Sequence, residues 1–272
     1  MSTINTNINS LHVQSAMTIN QREMNVTMER LATGKRINKA SDDAAGLSIS
    51  EGMSAQIKGL GAAARNANDA ISMLQTADGG MASQSSALQR MRELAVLSRN
   101  DTYSSSQKLA LNTEFTALRD QITTVATTTQ WNGTNLLSGS TTSFGFQVGA
   151  NAADTLDISL VSGTLSGYGM SASIAISTAS DASAALVLID TALSALNSSR
   201  STVGSVINRL TYAVDNLNNA IQNQSESRSK IADTDYANAT SELARQQIIQ
   251  QAGTAMLAQA NQMPSMVLAL LK

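Results

Sequence analysis

Between Leu186 and Ile221 apolar residues recur at alternating steps of three and four: Leu186, Ile189, Leu193, Leu196, then Val203, Ile207, Leu210, Val214, Leu217 and Ile221, with Arg200 as the single break. A mean spacing near 3.5 is the stripe of a helix packed lengthwise on another helix. A second stripe holds Met53, Leu60, Ala67, Leu74, Met81, Leu88 and Ala95 at one heptad position. Its companion position reads Ile57, Ala64, Ile71, Asp78, Ser85 and Arg92, so it turns polar at Asp78. Gly79 and Gly80 follow, each costing about 1 kcal/mol of helix propensity relative to alanine, and a bend or a change of neighbour is expected there. Leu111, Phe115, Leu118, Ile122 and Val125 form a third stripe, and Ser104, Ser105 and Ser106 before it read as the turn of a helical hairpin. Several stripes of this length commit the chain to long antiparallel helices.

The two ends carry stripes as well, and they are nearly free of charge. The last segment gives Ile249, Ala252, Met256, Ala260, Met263, Val267 and Leu270, and no charged residue occurs from Gln246 to Leu271. The first opens with Ile4, Ile8 and Leu11, continues through Met17, Met24, Met28 and Leu31, and has no charge before Arg22. Gly34 is a suitable left-handed cap for the first helix. Pro264, the single proline, is expected to kink or interrupt the last helix. Chain ends are usually polar and frayed, so apolar seams at both ends imply a protein surface as their partner. Neither end can bury its seam in an isolated subunit, and residues 1–40 and 235–272 are expected to stay mobile until assembly.

Between residues 139 and 180 the period changes. Phe144, Phe146 and Val148, then Leu156, Ile158 and Leu160, alternate with polar residues around Gly149 and Asn151, which predicts a hairpin and a few short strands. The fold expected is therefore mainly α: long antiparallel helices forming coiled-coil-like terminal and rod domains, with a small β-hairpin region in the middle. The domain division is 1–43 with 235–272, 44–138 with 180–234, and 139–179.

Chemistry is sparse. A net charge of −2 over 272 residues is too neutral for electrostatic nucleic-acid binding. There is no cysteine, and His12 alone cannot build a zinc site. No metalloprotease, nucleophile-elbow or phosphate-loop motif occurs, so the chain reads as a non-enzyme with no catalytic, cofactor or metal residues. Asp42 and Asp43 read as helix-capping carboxylates. Trp131 beside Asn132-Gly133 reads as an anchor packing that turn onto the helices. The start lacks the basic region of a secretory signal, and glutamines interrupt the last segment, so no stretch reads as a membrane span.

The stretches "MERLATGKRINKASDDAAGLSISEGM", "AARNANDAISMLQTADGGM", "LQRMRELAVLS", "NGTNLL", "FQVGANA" and "IADTDYANATSELARQQIIQQAGTAMLAQANQMPSMVLALLK" together resemble bacterial flagellin. The match covers residues 1–140 and 185–272, and in the centre only the short "FQVGANA" stretch. The resemblance implies an exported structural subunit that polymerises into the extracellular flagellar filament, with the terminal helices as its innermost layer and the middle facing outward. Its implied assembly seam is Ile4, Ile8, Leu11, Ile249, Met256, Met263, Val267 and Leu270. The implied partners are other flagellin subunits, an export chaperone on the C-terminal helix, filament cap and hook-junction proteins, and the host innate-immune flagellin receptor, which reads Arg90, Leu94 and Glu114 in the family. Nucleic acid and membrane are not among them. Two other readings stand beside it. A hook-filament junction protein shares such end helices, and a chemoreceptor-type signalling coiled coil shares the heptads but needs membrane spans.

Overall fold

The computed structural model describes residues 6–139, 143–171 and 173–270, with side chains as far as Met263 in the last helix. Among the described residues the elements run α1 (Ile8–Thr33), α2 (Ala44–Ser98), α3 (Ser105–Thr128), β1 (Gln130–Trp131), β2 (Thr134–Asn135), β3 (Ser143–Gln147), β4 (Thr155–Ser159), α4 (Ala179–Ala232) and α5 (Tyr236–Leu270). The chain divides into two compact units, Lys58–Gln222 and Met1–Ile57 with Asn223–Lys272.

In the unit Lys58–Gln222 the heptad stripes do what their spacing predicts. Leu74, Met81, Leu88, Met91 and Leu94 of α2 join Phe115 and Ile122 of α3 and Ile189, Leu196, Val203 and Leu210 of α4 in one buried cluster. The two polar breaks in the stripes meet each other: Arg200 Nε donates to Asp78 Oδ1 at 2.7 Å. Arg92, the last polar member of the α2 row, pairs in the same way with Asp190 at 2.7 Å.

One window of α4 reaches the length and apolarity of a membrane span, contrary to the reading that no stretch does. Its Ala182, Ala185, Ile189, Ala192 and Leu196 are buried in the core. That part of its apolarity is used in packing.

α2 runs unbroken through Gly79 and Gly80. Gly80 is required by proximity: a Cβ there would lie 2.7 Å from Thr129 Oγ1 and 3.0 Å from Leu137 Cδ1. Gly79 has open space beside it. The segment that approaches Gly80 is the β1–β2 hairpin, whose two-residue turn uses Asn132 and Gly133 at φ 47° and 77°. Trp131 is 37% exposed, while Leu136 and Leu137 just beyond the turn are fully buried and hold the loop to the helices. Ser104 is the N-cap of α3, closing a capping box with Gln107, and Ser105 and Ser106 are already helical.

β3 and β4 pair antiparallel with Phe144 opposite Ile158 and Phe146 opposite Leu156, as the alternation implies. The stretch after β4 was not legible in the sequence. It buries Leu165, Tyr168, Met170, Ile174 and Ile176 in the same core. Gln84 of α2 ties it down from a fully buried position. Its Nε2 donates to the carbonyls of Gly163 at 2.8 Å and Ile122 at 3.1 Å, and its Oε1 accepts from the Tyr168 hydroxyl at 2.7 Å.

In the other unit α1 ends on Gly34 in the left-handed conformation, φ 71°, where the Tyr236 hydroxyl approaches too closely for a β-carbon to be accommodated freely. Asp43 accepts from the Gly46 amide at 2.9 Å, so it caps α2 as expected. Asp42 has a different role: Oδ2 takes the amides of Asn38 and Lys39, and these bonds hold its carboxyl below the usual carboxylate range. α5 continues through Pro264 to Leu270. The proline removes one amide donor, while its fixed φ is itself helical.

Candidate assembly surface

α1 and α5 lie antiparallel along their length, and polar bonds set their register. Asn7 Nδ2 donates to the Ala260 carbonyl at 2.8 Å, Asn20 Nδ2 to the Gln246 carbonyl at 3.0 Å, and Gln250 Nε2 to Gln21 Oε1 at 2.9 Å. At the closed end the Tyr236 hydroxyl donates to the Leu31 carbonyl, and the Thr234 amide to that of Gly34. Arg36 closes the same end by donating through Nη2 to the Ile231 carbonyl at 2.6 Å.

The α1 face that meets α5 keeps Met17, Met24 and Leu31 of the stripe read in the sequence, whereas the α5 face differs from its stripe. On α5 the inward positions are Leu243, Gln246, Gln250, Gly253, Leu257 and Ala260, of which Gln246 and Ala260 are buried. On α1 they are Val13, Met17, Asn20, Met24, Thr27 and Leu31. Gly253 matters here because a Cβ would stand 3.0 Å from Met17 Cγ. Among the described side chains of the α5 stripe read in the sequence, only Ala260 faces α1.

The described apolar residues of the expected assembly seam point away. Ile8 is 50% exposed, Leu11 56%, Ile249 44%, Met256 61% and Met263 50%. Ile4 lies outside the described residues, as do the side chains of Val267 and Leu270. Met28, which the α1 stripe includes, is similarly exposed, and so are Ile19 and Ile248, which were missed because each sits beside a stripe rather than on it. Full burial of one such side chain stabilises by about 1.5–3 kcal/mol, so this face carries a considerable unused driving force for association.

A cleft of about 540 Å³ opens where the closed end of the pair meets the start of α5, lined by Arg30, Arg36, Arg245, Asp235 and Glu242 among others. Two of its charges are spent on each other: Arg245 pairs with Glu242, which lowers the Glu242 carboxyl below its ordinary value and raises the guanidinium.

On α2 and α3, Arg90 donates through Nε to Glu114 and through Nη1 to Glu93, both at 2.9 Å, and the bond to Glu114 contributes most to raising its guanidinium above its ordinary range. Both Arg90 and Glu114 are about half exposed. Leu94 is not on that surface. It sits at a core position of the heptad and is fully buried, and the apolar side chains in solvent beside Arg90 are Val96 and Leu97.

A bundle of long helices whose paired ends hold aliphatic side chains in water, held in register by amides, is built as a self-associating structural subunit. Residues 4–142 match the bacterial flagellin N-terminal helical region and residues 186–271 the bacterial flagellin C-terminal helical region. The chain belongs to the bacterial flagellin family, and its role is that of a structural subunit of the flagellar filament. It is 43% identical to a flagellin of Halalkalibacterium halodurans over 270 residues, covering 99% of each chain. It is 32% identical to flagellin E of Vibrio cholerae over 374 aligned positions, again covering 99% of each. Among solved structures, the crystal structure of Bacillus cereus flagellin superposes with a TM-score of 0.50 at 28% identity, covering 56% of this chain and 88% of that one.

Proposed function

We propose that polymerisation runs through the outward faces of α1 and α5, with Ile8, Leu11, Ile249, Met256 and Met263 as the contacts between copies, and with Ile4, Val267 and Leu270 continuing the same stripes. The supporting observation is the exposure of these aliphatic side chains on a helix pair whose inner face is already satisfied by Asn20, Gln246 and Ala260. The division into 1–43 with 235–272, 44–138 with 180–234, and 139–179 gives the polymerising layer, the rod and the outward region. An export chaperone covers the same apolar face of α5 before assembly, and cap and hook-junction proteins meet it at the filament ends. The host receptor reads the Arg90–Glu114 pair on the unassembled subunit, with Leu94 supporting that surface from beneath.

Met256→Asp tests this reading. It places a carboxylate in an interface made of uncharged side chains, and burying an unpaired charge costs several kcal/mol even after relaxation, which amounts to roughly a thousandfold or more in association. In the free subunit Met256 is mostly solvent-exposed, so the melting of the unit Lys58–Gln222 should not change. Purified Met256→Asp subunit mixed with filament seeds should not elongate them, yet should activate the host receptor as the parent monomer does. Normal elongation contradicts the seam. Loss of receptor activation by the monomeric variant contradicts the assignment to Arg90 and Glu114.

A further inference from the structure

Methionine is sorted by exposure in this chain. Of twelve methionines, and with no cysteine present, Met73, Met81, Met91 and Met170 are at most 3% exposed, whereas Met28, Met256 and Met263 expose 43%, 61% and 50%. The exposed three lie on α1 and α5. Thioethers are therefore the only side-chain sulfur, and among the described residues the exposed ones stand on the two helices assigned to assembly, Met256 and Met263 within the seam and Met28 on the α1 stripe. Met256 is flanked along its stripe by Ile249, Ala252 and Ala260, none of which can donate a hydrogen bond from its side chain.

We propose that Met256 and Met263, with Met28, are oxidation sites for hydrogen peroxide, and that their conversion to sulfoxides in the unassembled subunit blocks its addition to a filament. The proposal rests on the assembly reading above. In the step itself a sulfur lone pair attacks one peroxide oxygen, an S–O bond forms and the O–O bond breaks. The departing hydroxide takes the proton left on the transferred oxygen and leaves as water. Sulfur loses two electrons and the peroxide gains them. The product is a polar side chain with a strong acceptor oxygen where the seam supplies only apolar neighbours, so it resists burial. Once a subunit is assembled, the same sulfurs are covered by the next copy, and the reaction slows. Free subunits are vulnerable and the finished polymer is protected.

Purified monomer treated with graded hydrogen peroxide and digested for peptide mass should gain oxygen at Met28, Met256 and Met263 before Met73, Met81, Met91 and Met170. Seeded elongation by that monomer should fall roughly tenfold or more, the scale set by burying one unpaired polar group, and methionine sulfoxide reductase should restore it. Intact filaments exposed to the same dose should keep these three residues unoxidised. The triple variant Met28→Leu, Met256→Leu, Met263→Leu, compared with its own untreated rate, should elongate equally before and after peroxide. If that variant does not assemble untreated, Met256→Leu alone carries the comparison through a partial resistance. Oxidised parent monomer that elongates normally overturns the proposal, as does a leucine variant that peroxide inactivates as fully as the parent. Should Met256→Asp block elongation while the sulfoxide does not, the oxidation proposal fails and the seam stands; should both elongate, the seam itself is wrong.

Discussion

At the scale of single residues, buried hydrogen bonds do what the stripes cannot. Tyr168 is buried with its hydroxyl on Gln84, and burial pushes its pKa up from 10.0 to about 12. A raised folded pKa makes the neutral phenol a stabilising group below pH 10, and that contribution is lost as pH rises from 10 toward 12, because the unfolded chain ionises first. The loss amounts to roughly 2 kcal/mol across the window. Tyr168→Phe should be less stable at neutral pH by about 1–3 kcal/mol, since Gln84 Oε1 loses its donor while buried. It should also show a flatter alkaline limb. Urea melts of parent and variant at around pH 8 and pH 11 separate these effects, and an equally steep limb in both would refute the role of Tyr168. The Asp78–Arg200 pair belongs to this scale too. Each residue stood out in the sequence only as a break in an apolar stripe, and nothing in the spacing linked two breaks lying on different helices. The pair is more than a third exposed on each side, which limits it to about 1 kcal/mol or less and makes its use one of register.

At the scale of elements, period was legible and direction was not. Alternating steps of three and four located α2, α3, α4 and α5, because burial of one face of a helix leaves that mark whatever it packs against. The same mark cannot say which of two adjacent faces meets the chain's own partner. On α5 the conspicuous stripe of Ile249, Met256 and Met263 faces solvent, and the intrachain contact uses Gly253, Ala260, Gln246 and Gln250 together with Leu243 and Leu257, two leucines too far apart to stand out as a stripe. The segment from Val161 to Ile176 was illegible for a related reason. It packs without a repeating backbone, so its buried residues follow no period. Glycine was read as a possible bend, and the structure separates the pair by what lies opposite each. Gly79→Ala, in open space, should stabilise by up to about 1 kcal/mol through helix propensity. Gly80→Ala puts a methyl group against Thr129 and Leu137 and should destabilise by about 1–3 kcal/mol instead. Thermal melts of the two single variants check the sign of each, and equal shifts would mean that the hairpin gives way at no cost.

At the scale of the whole molecule, buried apolar volume is distributed unequally. The unit Lys58–Gln222 holds a continuous cluster from Ala67 to Leu210, including Phe115, Leu74, Met81, Leu88, Ile189 and Leu196. In Met1–Ile57 with Asn223–Lys272 the buried apolar residues among those described are Ile37, Ala232 and Ala260, and the α1–α5 contact adds buried Asn20, Thr27 and Gln246 and only half-buried Val13, Met17, Met24, Leu31, Leu243 and Leu257. Polar contacts of this kind set register but contribute only about 1 kcal/mol each after water is exchanged, whereas ordering a residue costs about as much in backbone entropy. An isolated helix pair with so little buried area should therefore open locally at a free energy far below that of global unfolding. Polymerisation changes the balance by covering Ile8, Leu11, Ile249, Met256 and Met263. Amide hydrogen exchange on free subunit should accordingly show α1 and α5 exchanging with little protection, while α3 and the parts of α2 and α4 within Lys58–Gln222 exchange slowly. In the filament α1 and α5 should become protected by several orders of magnitude, and the core helices should change little. Strong protection of α1 and α5 in the free subunit would mean that the amide-bonded pair is stable alone, and that assembly adds contacts without ordering the ends.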